Sequence, residues 1–172
     1  MGFRDPVRVQ GYCQACEKFG QYWSCPPFVA DPLESFPAWS LAVIICQQIP
    51  LQAGLGREQV LERFLEARLE FARRLEESLE GHTGHTCLIA GHCSGCPSCT
   101  RSKGEPCRCP ERLRYSLEAV GFDVTGLAEG LAGQTLDWPK EGSPGYLTLV
   151  GAVLCADEEK ASHILRALSA QA

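Results

Sequence analysis

Trp39-Ser40-Leu41-Ala42-Val43-Ile44-Ile45-Cys46 is an apolar run that ends near Pro50, and its length and β-branched content are those of a buried strand. Downstream the period changes. From Arg57 to about Glu80, Leu61, Phe64, Leu65, Phe71, Leu75 and Leu79 recur at helical spacing; Glu70 and Arg74 can pair at i,i+4 on the polar side, and Gly81 is a natural stop. His85-Thr86-Cys87-Leu88-Ile89-Ala90 reads as a short second strand running directly into a cysteine-dense loop from Gly91 to Pro110. Glu111 to Val120 is expected to form a helix closed by Gly121. The glycine-rich stretch from Gly121 to Gly145 is expected to be loop with one helical turn around Leu127 to Leu131. Tyr146-Leu147-Thr148-Leu149-Val150-Gly151-Ala152-Val153-Leu154-Cys155 is another strong strand. A helix from about Asp157 to Leu168, capped near Ala156 or Asp157, follows it. Strands alternating with helices predict an α/β fold: a small mixed sheet with flanking helices and two cysteine-rich metal-binding loops, in a single domain over residues 1–172.

With 172 residues, 45% of them hydrophobic, the chain can bury a core without help from metal. Lys and Arg number 16 against 21 Asp and Glu, a net charge of -5 that argues against coating nucleic acid or an anionic membrane. The opening Met1-Gly2-Phe3-Arg4-Asp5-Pro6 lacks the apolar stretch of a signal peptide, and no run approaches the roughly 18 apolar residues of a spanning helix. The expectation is a cytoplasmic protein. Eleven cysteines then read as thiolates available to metal, because a reducing cytosol disfavours disulfides and the count is odd.

Those cysteines fall into two groups, in segments 12–27 and 91–110. The first is Cys13-Gln14-Ala15-Cys16, followed by Cys25-Pro26-Pro27. Two cysteines separated by two residues can direct both sulfurs to one metal site, and a third directly before proline resembles the end of bacterial ferredoxin cluster motifs. The second group is Cys93-Ser94-Gly95-Cys96-Pro97-Ser98-Cys99, then Cys107-Arg108-Cys109-Pro110. Three thiolates at this spacing match three corners of a [4Fe–4S] cube; Cys107 can close the fourth, with Cys109 as a further candidate. Structural zinc would ordinarily use two separated CxxC pairs, so it is the alternative. Arg101, Lys103 and Arg108 could offset the negative charge of such a cluster or could be solvated loop charges.

These residues resemble a family of predicted metal-binding proteins, a domain of unknown function common in anaerobic bacteria and archaea. The resemblance rests on Tyr12-Cys13-x-x-Cys16, Gly20-x-x-Trp23-x-Cys25-Pro26-Pro27, Gly91-x-Cys93-x-x-Cys96-x-x-Cys99, Pro106-Cys107-Arg108-x-Pro110 and Tyr115-Ser116-Leu117-Glu118-Ala119-x-Gly121-x-Asp123-Val124. It runs from about residue 8 to residue 155 and implies cysteine-bound metal of iron–sulfur type. It implies no reaction, and it leaves Cys46, Cys87, Cys109 and Cys155 outside the pattern.

Cys46, Cys87 and Cys155 lie in strand-like segments, where a free cysteine usually behaves as a small buried hydrophobe. Three cysteines in the first group leave a fourth position, which Cys46, Cys109 or a histidine could fill, or which could stay open to substrate. His82, His85 and His92 are candidates for metal or proton chemistry, His92 because it adjoins Cys93. Tyr12 and Trp23 could shield a cluster. Ser116 and Glu118 on the expected helix, and Asp123 after it, read most simply as capping or hydrogen-bonding residues. No Ser-His-Asp order, phosphate loop or HExxH can be read, and the radical-chemistry spacing CxxxCxxC is absent. The expectation is an iron–sulfur protein with two clusters, acting in electron transfer with a redox protein partner or as an accessory to a redox enzyme. An open-site cluster enzyme and a zinc or metal-delivery module are the alternatives.

Overall fold

The run Leu149–Cys155 is buried at every residue, so its strand has to be covered on both faces. A computed structural model, describing residues 2–137 and 144–170, does this with α1 (Pro6–Cys13), β1 (Leu41–Pro50), α2 (Arg57–Ser78), β2 (His85–Ile89), β3 (Tyr115–Ser116), α3 (Val124–Ala132), β4 (Tyr146–Cys155) and α4 (Glu158–Ser169). The sheet order is β1-β4-β2-β3. β4 pairs antiparallel with β1, from Leu41 opposite Cys155 to Pro50 opposite Tyr146, and antiparallel with β2. β3 pairs parallel to β2 through Leu88 opposite Tyr115 and Ile89 opposite Ser116, so the sheet is mixed as expected.

Alternation along β4 divides the core in two. Leu149, Val153 and Cys155 face one side with Phe71, Leu75 and Leu79 from the α2 segment and Ile164 from α4. Val150, Ala152 and Leu154 face the other with Leu117, Val120, Leu127 and Ala128. Gly151 falls between them for a steric reason: a Cβ there would meet the Phe71 ring at 2.7 Å and the Leu88 carbonyl oxygen at 2.8 Å. The α2 periodicity needs one correction, since Leu61 and Leu65 are exposed and the buried face is carried instead by Ala67, Phe71, Ala72 and Leu75. Arg73 bridges Glu70 and Glu77, and Arg74 lies close enough to help hold the Glu70 carboxyl below its usual range.

Glu111–Val120 is not a helix. Pro110–Arg112 forms one 3₁₀ turn, Tyr115–Ser116 becomes β3, and a tight turn closes with Gly121 N donating to Glu118 O at 3.0 Å. Leu113, Tyr115 and Leu117 alternate with period two, and the open edge of β2 captures that pattern. Val124–Ala132 is longer than the single turn anticipated, because Asp123 caps it by accepting from Gly126 N at 3.1 Å and Gly133 ends it at φ +63. Part of the expected 121–145 loop, residues 138–143, lies outside the described residues. The last helix begins as anticipated, with Asp157 accepting from Lys160 N at 2.8 Å. No helix among the described residues is long and apolar enough to cross a membrane.

Candidate metal centre

Cys13 ends α1, a helix that the sequence reading missed. Asp5 caps it, accepting from Arg8 N at 3.1 Å, and Pro6 occupies the first turn, where a missing N–H costs nothing. The helix docks on the turn after β3. Asp5 N donates to Gly121 O at 2.8 Å, Gln10 Nε2 to Ala119 O at 3.0 Å, and Arg8 pairs with Asp123 at 2.8 Å. Gly121 permits this approach: it sits at φ +88, and a Cβ would come within 2.7 Å of Pro6 Cα. Beyond Cys13 the chain coils through tight turns, with Cys16 N donating to Cys13 O at 3.0 Å, Cys25 N to Tyr22 O at 3.0 Å and Gly20 N to Pro26 O at 2.8 Å. These turns bring Cys13, Cys16 and Cys25 close enough for their charges to act on one another.

The loop after β2 carries the second group. Cys93, Cys96, Cys99, Cys107 and Cys109 line one cavity together with Tyr22 and Trp23 from the first segment. Cys109 thus belongs here and not with the first trio. Gly95 lets the Cys93–Cys96 turn lie against the 110–112 turn, since a Cβ would stand 2.8 Å from Arg112 O. Backbone amides point at sulfur in both groups: Gly95 N to Cys93 Sγ at 3.3 Å, Trp23 N to Cys99 Sγ at 3.4 Å and Lys18 N to Cys16 Sγ at 3.5 Å. Such donors stabilise thiolate over thiol. The space between the five thiols is about 20 Å³, the room of roughly one water, so a larger guest requires this irregular loop to spread.

The two segments are joined by side chains. Buried Ser24 Oγ accepts from Cys93 N at 2.9 Å and lies 4.0 Å from Cys25 Sγ, which keeps Cys25 Sγ and Cys93 N within about 7 Å, the sum of those distances. Arg101 donates to the carbonyls of Tyr22 (2.7 Å), Cys25 and Pro27 (2.5 Å), and its guanidinium lies over the Trp23 ring. The Trp23 indole donates to Glu105 O at 3.1 Å. Arg101 is therefore a clamp, a role beyond either sequence expectation, whereas Arg108 pairs with exposed Glu105 and Lys103 is exposed.

A cation that sequence reasoning overlooked sits beside both groups. Arg68 of α2 is 5% exposed; its Nη1 donates to His92 O at 2.6 Å and its Nη2 lies 3.3 Å from His92 Nε2. Burial lowers its pKa, opposed by Tyr22, Cys93 and Cys25, while Nε has no partner. Gly91 leaves room for it, since a Cβ there would be 3.2 Å from Nη1. His92 stacks on Tyr22 at 4.2 Å; burial and then Arg68 bring its pKa down to about 4, so it is neutral near pH 7. Only a hydrophobic-face residue that turns out charged, Arg68 within Ala67-Arg68-Leu69, could have signalled this.

Several thiols are held protonated by their surroundings. Burial pushes Cys25 up to about 11, with Cys16 and Cys13 adding to it and the Ser24 hydroxyl opposing; Cys13 is raised by burial, then by Glu118, then by Cys16. Cys96 is raised by burial and by Cys109, Cys93, Cys107 and Cys99 in turn. Crowded thiols of this kind lose protons readily only to a cation, which is the chemistry of a soft metal site. Among the described residues, no three His, Cys, Asp or Glu are gathered so as to hold a single metal ion.

The remaining candidates separate clearly. Cys87 and Cys155 are buried in the sheet, Cys87 with its thiol pushed up to about 12, and Cys46 packs against the β4 face, raised by burial alone. Tyr12 is 68% exposed and shields nothing, whereas Trp23 lines the cysteine cavity. His82 and His85 line a different hollow with His163, Asp157 and Lys160. Glu118 is partly exposed as a residue, yet its Oε2 is sealed from solvent without a hydrogen-bond partner; burial raises its pKa, and its own amide and the Ser116 hydroxyl act against that. The model of a family described as "Predicted metal-binding protein (DUF2284)" matches residues 3–155, and the chain belongs to that family. No curated protein and no solved structure matches the chain.

Proposed function

We propose that this protein is a two-cluster iron–sulfur protein of the cytoplasm that passes electrons to or from a redox protein partner. Cys13, Cys16 and Cys25 would hold one [4Fe–4S] cluster; Cys93, Cys96, Cys99 and Cys107 would hold the other, with Cys109 beside them. Segments 12–27 and 91–110 then act as one unit of a single domain over residues 1–172. When bound, such clusters supply reversible one-electron chemistry at low potential.

The observation that carries this reading is Ser24, whose hydroxyl touches Cys93 N and Cys25 Sγ at once. Two thiolate sites held that close favour transfer between them. The donor set fits the group: soft thiols, amides directed at sulfur, and Trp23 and Tyr22 lining the cavity of the second group. The scattered spacing also favours a polynuclear guest, whose metal atoms each take one thiolate, over one tetrahedral zinc that needs all donors within about 2.3 Å. The protein's own residues prepare the site: Arg101 fixes the two loops together, and Arg68 supplies positive charge from the α2 side. The net charge of -5 supports a protein partner over nucleic acid.

Anaerobic purification with an absorption spectrum and analysis for iron, sulfide and zinc tests it. A brown protein with about eight irons supports two cubanes. A colourless protein with stoichiometric zinc after oxygen-free handling overturns it in favour of a metal-binding module.

A further inference from the structure

We infer that Glu118 is the fourth ligand of the first site, so that Cys13, Cys16, Cys25 and one carboxylate oxygen complete a three-cysteine, one-glutamate set. This rests on the iron–sulfur reading above and deepens it. The first group has three cysteines, and the rest are committed elsewhere. Cys93, Cys96, Cys99, Cys107 and Cys109 share the other cavity, while Cys46, Cys87 and Cys155 pack in the sheet. His92, which adjoins Cys93, is engaged by Arg68 and Tyr22, and His82 and His85 line a different hollow.

Glu118 is brought to the trio by the docking of α1. Gln10 and Cys13 are three residues apart and so share a face of that helix. The Gln10 side chain reaches Ala119 O at 3.0 Å, immediately beside Glu118. The carboxylate is close enough to Cys13 to act on its thiol. The turn that carries it is fixed at both ends, by Gly121 N donating to Glu118 O at 3.0 Å and Ala119 N donating to Ser116 Oγ at 3.2 Å. On that fixed turn Oε2 is sealed from water and has no donor. A buried carboxylate oxygen without a partner is an expensive feature to retain, and a cation is what would satisfy it. Oxygen is a harder donor than thiolate, so the iron it holds would be the one that exchanges ligands.

The test uses the full chain, purified without oxygen and enriched in ⁵⁷Fe, as wild type, Glu118→Gln and Glu118→Cys. Mössbauer spectroscopy of the wild type should resolve one iron in eight with a distinct, oxygen-ligated signature. Glu118→Cys should convert that iron to the sulfur-ligated type with iron content unchanged. Glu118→Gln, which keeps the side chain's shape, should lose that iron to a chelator at least tenfold faster and leave a three-iron cluster that gives its EPR signal after one-electron oxidation with ferricyanide. Circular dichroism confirms that each variant is folded. If the wild type carries both clusters and neither variant alters the distinct signal or the chelation rate, Glu118 is not a ligand while the two-cluster reading stands. If the wild type carries no iron, both fall.

Discussion

Replacing Arg68 separates the two jobs that its position implies. The guanidinium donates to His92 O at 2.6 Å, a charge-assisted bond worth about 1.5–3 kcal/mol when lost. Set against that is Nε, sealed and unpartnered, whose release returns roughly 1 kcal/mol. Arg68→Met keeps the apolar stem on α2 and removes the head, so the net cost is about 0.5–2 kcal/mol. For a chain of 172 residues this lowers Tm by roughly 1–8 °C. On the two-cluster reading the charge would also act on the metal centre. At an effective dielectric of ~20, a cation about 8–15 Å from a reducible cluster would contribute about 1–2 kcal/mol, so its loss would move a one-electron potential by roughly 40–90 mV to the negative side.

Arg68→Lys distinguishes these effects, because an ammonium retains the charge without the fork that spans His92 O and His92 Nε2. Thermal unfolding followed by circular dichroism should fall for both variants; redox titration should shift for Met and hold for Lys. A Met variant with unchanged melting and unchanged potential would refute the account of Arg68 altogether. Equal potential shifts in Met and Lys would assign the effect to loop geometry and not to charge.

Gly95→Ala sets a Cβ 2.8 Å from Arg112 O, so it should push the Cys93–Cys96 turn off the 110–112 turn, misalign its thiols with Cys107 and Cys109, and reduce metal per chain in elemental analysis; full loading would contradict the tight fit. Gly151→Ala meets the Phe71 ring and the Leu88 carbonyl at 2.7 and 2.8 Å and should cost about 1–3 kcal/mol or more by overpacking, read from the urea midpoint at constant m. His85 is the clearest pH-sensitive group away from the cysteines: burial first, then His82, Arg114 and Lys160, lower its pKa below 6.5. It is neutral in both states at high pH. Below 6.5 the unfolded chain takes up the proton first, so stability falls from there toward the depressed folded value. His85→Gln should flatten the drop in urea midpoint as pH falls below about 6.5; parallel curves for variant and wild type would dismiss the assignment.

The sheet was legible because β1 and β4 carry long apolar runs that no surface segment would tolerate and β2 a short one, and α2 and α4 because their periodicity and caps agree. What the sequence concealed lay where local signal and tertiary context disagree. Residues 111–120 contain good helix formers, yet β2 offered an unpaired edge and took Tyr115–Ser116. α1 is short and has little apolar face; only Asp5-Pro6, a cap followed by a first-turn proline, announced it. Cysteine spacing identified the two groups, but spacing is one-dimensional. That Cys109 joins the second group, that Ser24 touches both, and that Arg68 arrives from a helix 25 residues before Cys93 are facts of packing. An arginine in an amphipathic helix reads as solvated until its burial is known.

The arrangement also bears on what a bound metal would be for. Zinc-dependent small folds collapse only around their ion, because they lack apolar surface to bury. Here both faces of β4 are already covered by side chains from α2, α3 and α4, and none of the cysteines of segments 12–27 and 91–110 belongs to either core cluster. Those thiols occur instead where regular structure stops: at the last residue of α1, in the turns after it, and in the loop that leaves β2. The sheet therefore stands on its own hydrophobic layers, and the loops hold thiols whose surroundings keep them protonated and nearly without cost while the site is empty. Only their ionised forms would repel one another, and a bound cation would offset that, so on the iron–sulfur reading the group would be kept for what it does and not for what it holds together.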